Sequence, residues 1–382
     1  MLQSAQDGKR FTELDSLRGL AAMAVVVGHF AGGLAAAPPA GFLLIAHLFG
    51  SGHAAVVLFF LLSGFVLTVP YTAPNRPSYP AFLIKRICRI YVPYVVAILV
   101  AAAFASKLYA TAATGNAWID QTWNRPFSTR LLVQHLGMIG HFDEVQWNTA
   151  IWSLVIEMRI SIVFPVIAWC TARLHPLLLL ALCVPATPAL AWVARRSGHG
   201  MLCDTLFLGM IFLVGSVLLR RLDRVRGLLA RCTQAQSFAV LVVGLACYEW
   251  GDCLPLPHTG IGAYASDWLL ALGGALLLLL SLSWEPLRRL LRGRVLLWLG
   301  TRSYSIYLLH GTVLFTLIRT HRMQQLHTAT LVAYLSIVLT ASELFHRMIE
   351  LPALRMGRRL GTKTVPNHML PGPAASLVAA WK

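Results

Sequence analysis

Four ionisable side chains interrupt the apolar runs of this sequence, and their types suggest proton transfer beside an anion site. Arg18 and His29 lie in one run, and Glu157 and Arg159 lie in another. Arginine recognises phosphate and carboxylate groups, and histidine is the most common general base. Ionisable groups within a bilayer cost about 2.5–3.5 kcal/mol each, so they usually face a bundle interior or a water-filled cavity. These four residues are therefore the first candidates for function.

The spacing of Arg18 and His29 predicts that both lie on one face of a helix. Eleven steps of about 100° make three turns plus about 20°, and they separate the two residues by roughly 16 Å along the axis. This arrangement favours one groove that binds an anion at its cytoplasmic mouth and transfers a proton deeper in the membrane. The alternative is structural, with Arg18 reaching towards the interface and His29 bonding a neighbouring carbonyl group.

Glu157 and Arg159 are two residues apart, so on a helix they point to different sides and have separate partners. Glu157 is a candidate to orient His29 and fix its tautomer. Other polar side chains are predicted to bind substrate or line a pore. They are Ser63, Trp152, Ser153, Arg159, Tyr304 and His310. For Ser63-Gly64, close approach of two helices is the favoured interpretation. HExxH, carboxylate-rich and GxSxG patterns do not occur, so we predict no metal site and no nucleophile elbow.

The composition excludes a soluble globular domain. Of the 382 residues, 57% are hydrophobic and 12% are charged, about half the ~25% charged residues of a soluble domain. The net charge of +17 might suggest nucleic-acid binding, but a mean hydropathy of +0.66 leaves too little polar surface for that class. We therefore predict a protein embedded in membrane lipid, with no nucleic-acid partner. Seven cysteines without a CxxC pair are interpreted as small buried side chains.

Apolar runs and charge placement together predict the topology. Ten runs approach the length of about 20 residues that spans a bilayer. They are residues 14–36, 53–70, 90–108, 149–169, 176–193, 203–219, 236–251, 264–283, 295–317 and 328–349. With both termini in the cytoplasm, 21 of the 32 Lys and Arg residues fall inside and 7 outside, as the positive-inside rule requires. The expected fold is an all-α polytopic membrane protein, a bundle of about ten transmembrane helices with both termini cytoplasmic.

Three segments follow from this topology. Residues 1–10 form a short cytoplasmic segment, residues 11–360 form the transmembrane domain, and residues 361–382 form a disordered cytoplasmic tail. The longest stretch predicted outside, residues 109–148, contains Trp118, Trp123 and Trp147. An interfacial belt is the favoured interpretation of these tryptophans, and a platform for sugar rings is the alternative.

Six stretches, taken together, resemble the acyltransferase family 3 integral membrane O-acyltransferases. In order, they are LDSLRGLA at 14–21 followed by His29, FFLLSGFVL at 59–67, KRICRIYVP at 85–93, WSL at 152–154 with Glu157 and Pro165, LG at 299–300 with SYSIYLLH at 303–310, and ELP at 350–352. The resemblance covers about residues 11–360. It implies about ten helices and transfer of an acyl group, commonly acetyl, from cytoplasmic acyl-CoA to a hydroxyl of a saccharide or glycolipid.

The resemblance also implies roles for individual residues. Arg18, Lys85, Arg86 and Arg89 would hold the phosphates of acetyl-CoA on the cytoplasmic side. His29 would be the general base and Glu157 its partner, with an acyl-histidine intermediate as the competing version. Many family members carry an aromatic pair after the glutamate of the fourth span, where this chain has Arg159 and Ile160.

The expected location is a bacterial cytoplasmic (inner) membrane. A transporter or exporter is the alternative from another class, and a small secondary metabolite is an alternative acceptor. The sequence leaves the acceptor and the oligomeric state open.

Overall fold

The computed structural model describes residues 11–33, 52–74, 76–112, 114–138, 142–197, 200–251, 261–320 and 328–363. These residues form helices and connecting segments, with no β-strand among them. In chain order the helices are α1 (Thr12–Gly32), α2 (Gly52–Thr72), α3 (Tyr79–Arg86), α4 (Val92–Leu108), α5 (Ala117–Asp120), α6 (Thr129–Gly137), α7 (Ile151–Arg173), α8 (Pro176–Ser197), α9 (Gly200–Arg220), α10 (Leu222–Leu229), α11 (Gln234–Trp250), α12 (Ile261–Ser283), α13 (Glu285–Leu291), α14 (Arg294–Arg319), α15 (Thr328–Phe345) and α16 (Leu351–Lys363). Single π-helical turns at Ile87–Tyr91 and His346–Glu350 join α3 to α4 and α15 to α16.

The predicted all-α membrane fold is confirmed, and each of the ten predicted runs falls on a helix. Within the described ranges, eight helical stretches are long and apolar enough to cross a membrane. Of the other two runs, α11 has 17 residues and α14 carries arginine at both ends as well as Arg302. The total number of spans and the cytoplasmic placement of the termini stay predictions.

Helix α8 continues through Pro185 and Pro188. Proline keeps a helical φ and removes one backbone hydrogen bond, so a helix survives where its neighbours support it. Here α8 packs against α9 and α12, and the Trp268 indole N–H donates to the Thr187 hydroxyl at 3.0 Å.

Backbone contact between α1 and α14 forms the centre of the bundle. A Cβ atom added to Gly19 would lie 2.6 Å from the Gly300 backbone nitrogen. A Cβ atom added to Gly300 would lie 2.3 Å from the Asp15 carbonyl oxygen. Only glycine fits at both positions, because any side chain would force the two helices apart. This contact brings the face of α1 that carries Arg18 against α14.

Helices α2 and α9 meet in the same way. A Cβ atom on Gly64 would lie 2.0 Å from the Phe212 carbonyl oxygen, and one on Gly215 would lie 2.1 Å from the Leu61 carbonyl oxygen. The close helix approach that the sequence favoured for Ser63-Gly64 is therefore present at Gly64. Ser63, the preceding residue, is left to face another neighbour.

The tryptophans of the outer stretch differ from the sequence prediction. Trp123 and Trp147 are 0% and 1% exposed, so they belong to the core and form neither an interfacial belt nor an open sugar platform. The Trp123 indole N–H donates to the Trp147 carbonyl at 3.0 Å, which gives its polar atom a partner inside the protein. His135 stacks on Trp147 with ring centroids 4.8 Å apart, and burial lowers the pKa of His135 to about 4.

The boundary of the C-terminal segment also changes. Helix α16 continues through Lys363 and packs against α3, so residues 361–363 are helical and do not belong to a disordered tail. Residues 364–382 and the predicted N-terminal segment 1–10 lie outside the described residues.

The glycine contact between α2 and α9 predicts a position-specific loss of stability. Gly215→Ala presses a methyl group against the Leu61 carbonyl, so we expect the free energy of unfolding to fall by about 1–3 kcal/mol. Gly209→Ala on the same helix is the matched control, since a Cβ atom there meets nothing within 4 Å. Thermal unfolding in detergent measures both variants, and equal melting temperatures would contradict the assigned contact.

Candidate functional site

A pocket opens between α1, α2, α7 and α14, and five of the twelve site residues predicted from the sequence line it. Its cavity volume is about 30 Å³, within about 420 Å³ of space between the helices that no atom fills and that is partly open to the surroundings. Its lining consists of Arg18, Val56, Phe59, Phe60, Ser63, Ser153, Leu154, Glu157, Ser303, Tyr304 and Tyr307. Charged groups lie at one end, and hydroxyl and aromatic groups lie at the other. This asymmetry suits a substrate with an anionic part and a less polar reactive part.

An ion pair between α3 and α7 forms the charged end. Arg86 Nη2 lies 2.8 Å from Glu157 Oε1, and the two side chains are 7% and 16% exposed. Arg86 Nε donates to the Ser161 hydroxyl at 3.2 Å, and the Ser63 hydroxyl donates to Glu157 Oε1 at 3.1 Å. The extra hydrogen bonds matter because a buried ion pair offsets its loss of hydration only when its remaining polar atoms are also satisfied.

The other cations of this region have no such neutralising partner. Arg18 lines the pocket, and the charges acting on it include those of Arg89 and Glu157. In the part of the chain that the structure describes, neither Arg18 nor Arg89 has a side-chain hydrogen bond or ion pair, and the same holds for exposed Lys85. The carboxylates that act on this cluster, Glu157 and Asp15, are fewer than its cations, so positive charge is in excess at this end of the pocket.

Hydroxyl groups connect the charged end to the deeper end. The Ser153 hydroxyl and the Tyr307 hydroxyl lie 2.8 Å apart, and both bond the Ala150 carbonyl. The Tyr304 hydroxyl donates to the Ile90 carbonyl at 2.7 Å, which ties α14 to the π-helical turn beside α3. These bonds fix the walls of the pocket between Arg18 and the level of Tyr307.

Two histidines lie at the deeper end, one helical turn beyond Tyr307. His29 Nδ1 lies 2.9 Å from His310 Nε2. His310 is fully buried, and its Nδ1 lies 2.8 Å from the Tyr307 carbonyl oxygen. His29 remains partly exposed. The structure thus joins a residue near the end of α1 to the middle of α14.

Trp118 packs against His29. Their ring centroids are 5.2 Å apart. Helix α5 holds Trp118 there because the Asn116 side chain accepts from the Trp118 N–H and donates to the Gly32 carbonyl at 2.8 Å, near the end of α1. At the end of α5, hydrogen bonds from the Thr114 N–H and hydroxyl keep the pKa of Asp120 below its usual value. The short helix α5, capped by Asn116 and anchored to the end of α1, therefore fixes the position of Trp118.

The structure assigns partners that differ from those suggested by the sequence. Glu157 bonds Arg86 and Ser63, whereas His29 bonds His310, so Glu157 does not orient His29 here. The physical reason is that a carboxylate surrounded by arginines is held by their charges, which outweigh its attraction to a neutral imidazole. Arg159 lies 3.4 Å from the Thr205 hydroxyl on α9, so Glu157 and Arg159 have separate partners as predicted.

The remaining predicted residues differ in how close they lie to the pocket. Ser63, Ser153 and Tyr304 line the pocket, Trp152 is a partly buried residue packed against the core, and His310 lies beyond the lining. Sequence reasoning missed the contact of Trp118 with His29. The tryptophan-rich stretch 109–148 could have drawn attention to Trp118. The periodicity of a sequence, however, does not show which helix such a connecting stretch packs against.

A second polar cluster joins α2, α9 and α12 away from the pocket. His53 Nε2 lies 2.5 Å from Asp267 Oδ1, and the Tyr264 hydroxyl donates to Asp204 Oδ1 at 2.8 Å. The sequence prediction did not include these residues. Within the described ranges, no group of three or more His, Cys, Asp or Glu residues is arranged to hold a metal ion.

Comparisons with known proteins relate this chain to acyltransferases. The family model described as an acyltransferase domain, of acyltransferase family 3, matches residues 11–345. A curated relative, acyltransferase MdmB of Streptomyces mycarofaciens, is 28% identical over 401 aligned positions, which cover 94% of this chain and 95% of the relative. No solved structure matches the chain.

The crowding of cations around one carboxylate predicts unequal effects of removing the two partners of the ion pair. Glu157→Gln leaves Arg86, Arg18 and Arg89 facing one another, so we expect a loss of about 3–5 kcal/mol in the free energy of unfolding. Arg86→Gln should cost less, because Arg18 still offsets the charge of Glu157. Thermal unfolding in detergent compares the two variants. An Arg86→Gln protein as unstable as Glu157→Gln would contradict this account.

Proposed function

The chain belongs to acyltransferase family 3, and on that premise we propose that it transfers an acetyl group from cytoplasmic acetyl-CoA to a hydroxyl of a cell-envelope saccharide or glycolipid. One observation carries the proposal: the pocket that contains Arg18 is lined on α14 as far as Tyr307, and His310, three residues farther along α14, lies 2.9 Å from His29. The family match also favours an acyltransferase over the exporter considered from the sequence.

The donor fits the charged end of the pocket. Acyl-CoA carries a 3′-phosphate and a pyrophosphate, and such groups are bound by clustered Arg and Lys side chains. Arg18, Arg89 and Lys85 supply cations that have no side-chain hydrogen bond or ion pair among the described residues. Arg86 is already paired with Glu157, so its role is to hold Glu157 and the pocket wall, and Glu157 acts as a positioning residue for the donor cations.

The separation of Arg18 and His29 along α1 suits the length of the pantetheine arm. Arg18 and His29 are eleven residues apart on the continuous helix α1, which corresponds to about 16 Å. That distance allows the phosphates to stay at the mouth while the thioester reaches the level of His29. The hydroxyl groups of Ser153 and Tyr307 lie along this path.

His29 performs the proton transfer. It accepts the proton of the acceptor hydroxyl while the oxygen forms a bond to the thioester carbonyl carbon. The carbon–sulfur bond then breaks, and the thiolate takes the proton back from His29, which yields the acetyl ester and free CoA thiol. Transfer through an acyl-histidine is the competing route, in which His29 attacks the thioester first.

The acceptor binds against Trp118 and reaches His29 from there. A partly buried tryptophan beside the base offers an apolar ring surface to a sugar, as aromatic side chains do at many binding sites. The location that suits this arrangement is the cytoplasmic membrane of a bacterium, where acetyl-CoA and envelope precursors meet. A small secondary metabolite is the other class of acceptor with a suitable hydroxyl.

Loss of an acetyl increment in the cell envelope tests the function directly. We expect mass spectrometry of envelope glycans and glycolipids to show one acetyl group fewer in a deletion strain than in its parent. Restoration of the gene should restore the mass. Unchanged glycans and glycolipids, with acetyl-CoA that neither stabilises the purified protein nor is consumed, would overturn the proposed function.

His29→Ala should reduce acetyl transfer by roughly 10²–10⁴-fold, the contribution typical of a general base. The measurement is transfer of label from radiolabelled acetyl-CoA in membrane vesicles that contain the envelope acceptors. His175→Ala is the matched control, because His175 is exposed and lies between α7 and α8, outside the pocket. Substantial transfer by a folded His29→Ala protein would contradict the assignment.

Arg18→Gln should weaken donor binding before it changes the chemical step. Loss of a hydrogen bond to a charged group costs about 1.5–3 kcal/mol, or roughly 10- to 100-fold in affinity. Acetyl-CoA binding to the purified protein in detergent measures the effect. Arg289→Gln removes an exposed arginine paired with Glu285 and controls for overall charge. Equal donor affinities for these two variants would contradict the phosphate role of Arg18.

A further inference from the structure

We propose that His310 is the positioning residue that holds His29 in its Nδ1–H tautomer, so that His29 Nε2 is the atom that takes the acceptor proton. This inference rests on the proposed function and deepens it, because it assigns the reacting atom and the group that prepares it.

The hydrogen-bond partners of His310 fix its protonation. Its Nδ1 lies 2.8 Å from the Tyr307 carbonyl oxygen and 3.3 Å from the Ile306 carbonyl oxygen. A carbonyl oxygen only accepts hydrogen bonds, so Nδ1 of His310 carries the hydrogen. In a neutral ring the other nitrogen then has a lone pair. His310 Nε2 is therefore an acceptor, directed at His29.

The same rule fixes His29. Its Nδ1 lies 2.9 Å from His310 Nε2, and because His310 Nε2 accepts, His29 Nδ1 must donate. The hydrogen of neutral His29 is then on Nδ1, and Nε2 keeps its lone pair. Among the described residues, no hydrogen-bond partner meets His29 Nε2, and the ring is partly exposed beside Trp118. The unprotonated nitrogen is thus the one that a substrate hydroxyl can reach.

The neutral state of the pair follows from its surroundings. His310 is 0% exposed, and no carboxylate of the described residues bonds either ring. A buried imidazolium without a counter-ion would lose its hydration without compensation. Both rings therefore stay neutral at rest, and the chain of bonds from the Tyr307 carbonyl through His310 to His29 has one consistent direction.

The packing of α14 keeps His310 in place. The Asn148 side chain donates to the Leu308 carbonyl at 2.9 Å, and its Oδ1 would lie 2.9 Å from a Cβ atom on Gly311. The Tyr334 hydroxyl donates to the His310 carbonyl at 3.4 Å. These contacts hold the backbone on both sides of His310, so the ring returns to one orientation after each proton transfer.

This arrangement also accounts for return of the proton. When His29 Nε2 takes the hydroxyl proton, the positive charge is shared with His310 through the Nδ1–H hydrogen bond, and no carboxylate traps it. The departing thiolate is the strongest nearby base and takes the same proton from Nε2. The cycle closes with acetyl ester, CoA thiol and both histidines neutral, so no further acid or base is required.

Substitutions at His310 test whether an acceptor at the position of its Nε2 is what positions His29. His310→Gln places a carboxamide oxygen near the position of Nε2, whereas His310→Asn ends near the position of Nδ1. We expect Gln to retain transfer within about tenfold of wild type, and Asn and Ala to lower kcat by roughly 10²-fold or more with an unchanged KM for acetyl-CoA. The assay uses radiolabelled acetyl-CoA and membrane vesicles containing envelope acceptors. Exogenous imidazole should restore part of the activity of His310→Ala.

Equal kcat values for the Gln and Asn variants, or a change confined to the KM for acetyl-CoA, would overturn the positioning role. His346→Gln is a same-residue control on another helix, since His346 bonds Glu350. A purely structural role would lower the melting temperature of His310→Asn and His310→Ala without rescue by imidazole.

A spectroscopic measurement tests the tautomer of His29 independently of enzymatic activity. Solid-state NMR of nitrogen-labelled histidine in the full-length protein, assigned with His29→Ala, should show His29 with protonated Nδ1 and unprotonated Nε2. A His29 protonated at Nε2 would overturn the inference even in an active enzyme. Conversely, wild-type vesicles that consume no acetyl-CoA would refute the proposed function while the NMR result still reports the hydrogen-bond direction.

Discussion

A buried cation in an apolar bundle needs a carboxylate within reach, and the pair of Arg86 and Glu157 meets that requirement for the whole site. The pair connects α3 to α7, and the Ser63 hydroxyl adds α2 to the same carboxylate. Arg18 and Arg89 can lie nearby because the charge of Glu157 reduces their mutual repulsion. The charged mouth of the pocket and the packing of three helices therefore depend on a single ion pair.

Backbone contact supplies the second requirement, since the histidines meet only if α1 and α14 come close. Gly19 and Gly300 allow that approach near the charged end, and Asn148 fixes α14 near the histidine end. Both helices then run side by side across the level at which His29 reaches His310. Motifs that look like helix-packing signals in the sequence thus also contribute to the geometry of the histidine pair.

Periodicity and charge allowed much of this fold to be predicted from the sequence, because they depend on one helix at a time. The helical positions and the placement of Arg18 and His29 on α1 follow from apolar runs and 3.6-residue spacing. The partner of Glu157 could not be predicted in this way. Residue spacing shows on which face of a helix a side chain lies, but it does not show which other helix packs against that face. The burial of Trp123 and Trp147 was missed for the same reason, since hydrophobicity alone does not distinguish a membrane interface from a protein core.

The charges of the surrounding arginines explain why Glu157 does not bond His29. Two opposite charges 4 Å apart gain about 4 kcal/mol at an effective dielectric constant near 20, whereas a carboxylate gains much less from a neutral imidazole. With several arginines nearby and one carboxylate among them, the arginines hold the carboxylate. His29 then requires a neutral acceptor for its Nδ1–H, and His310 supplies one at 2.9 Å. A neutral pair is also cheaper to bury than an ion pair. Permanent charge is therefore confined to the end of the site at Arg86 and Glu157, which suits the proposed anionic donor. In the proposed mechanism, the histidine end becomes charged only while a proton is being transferred.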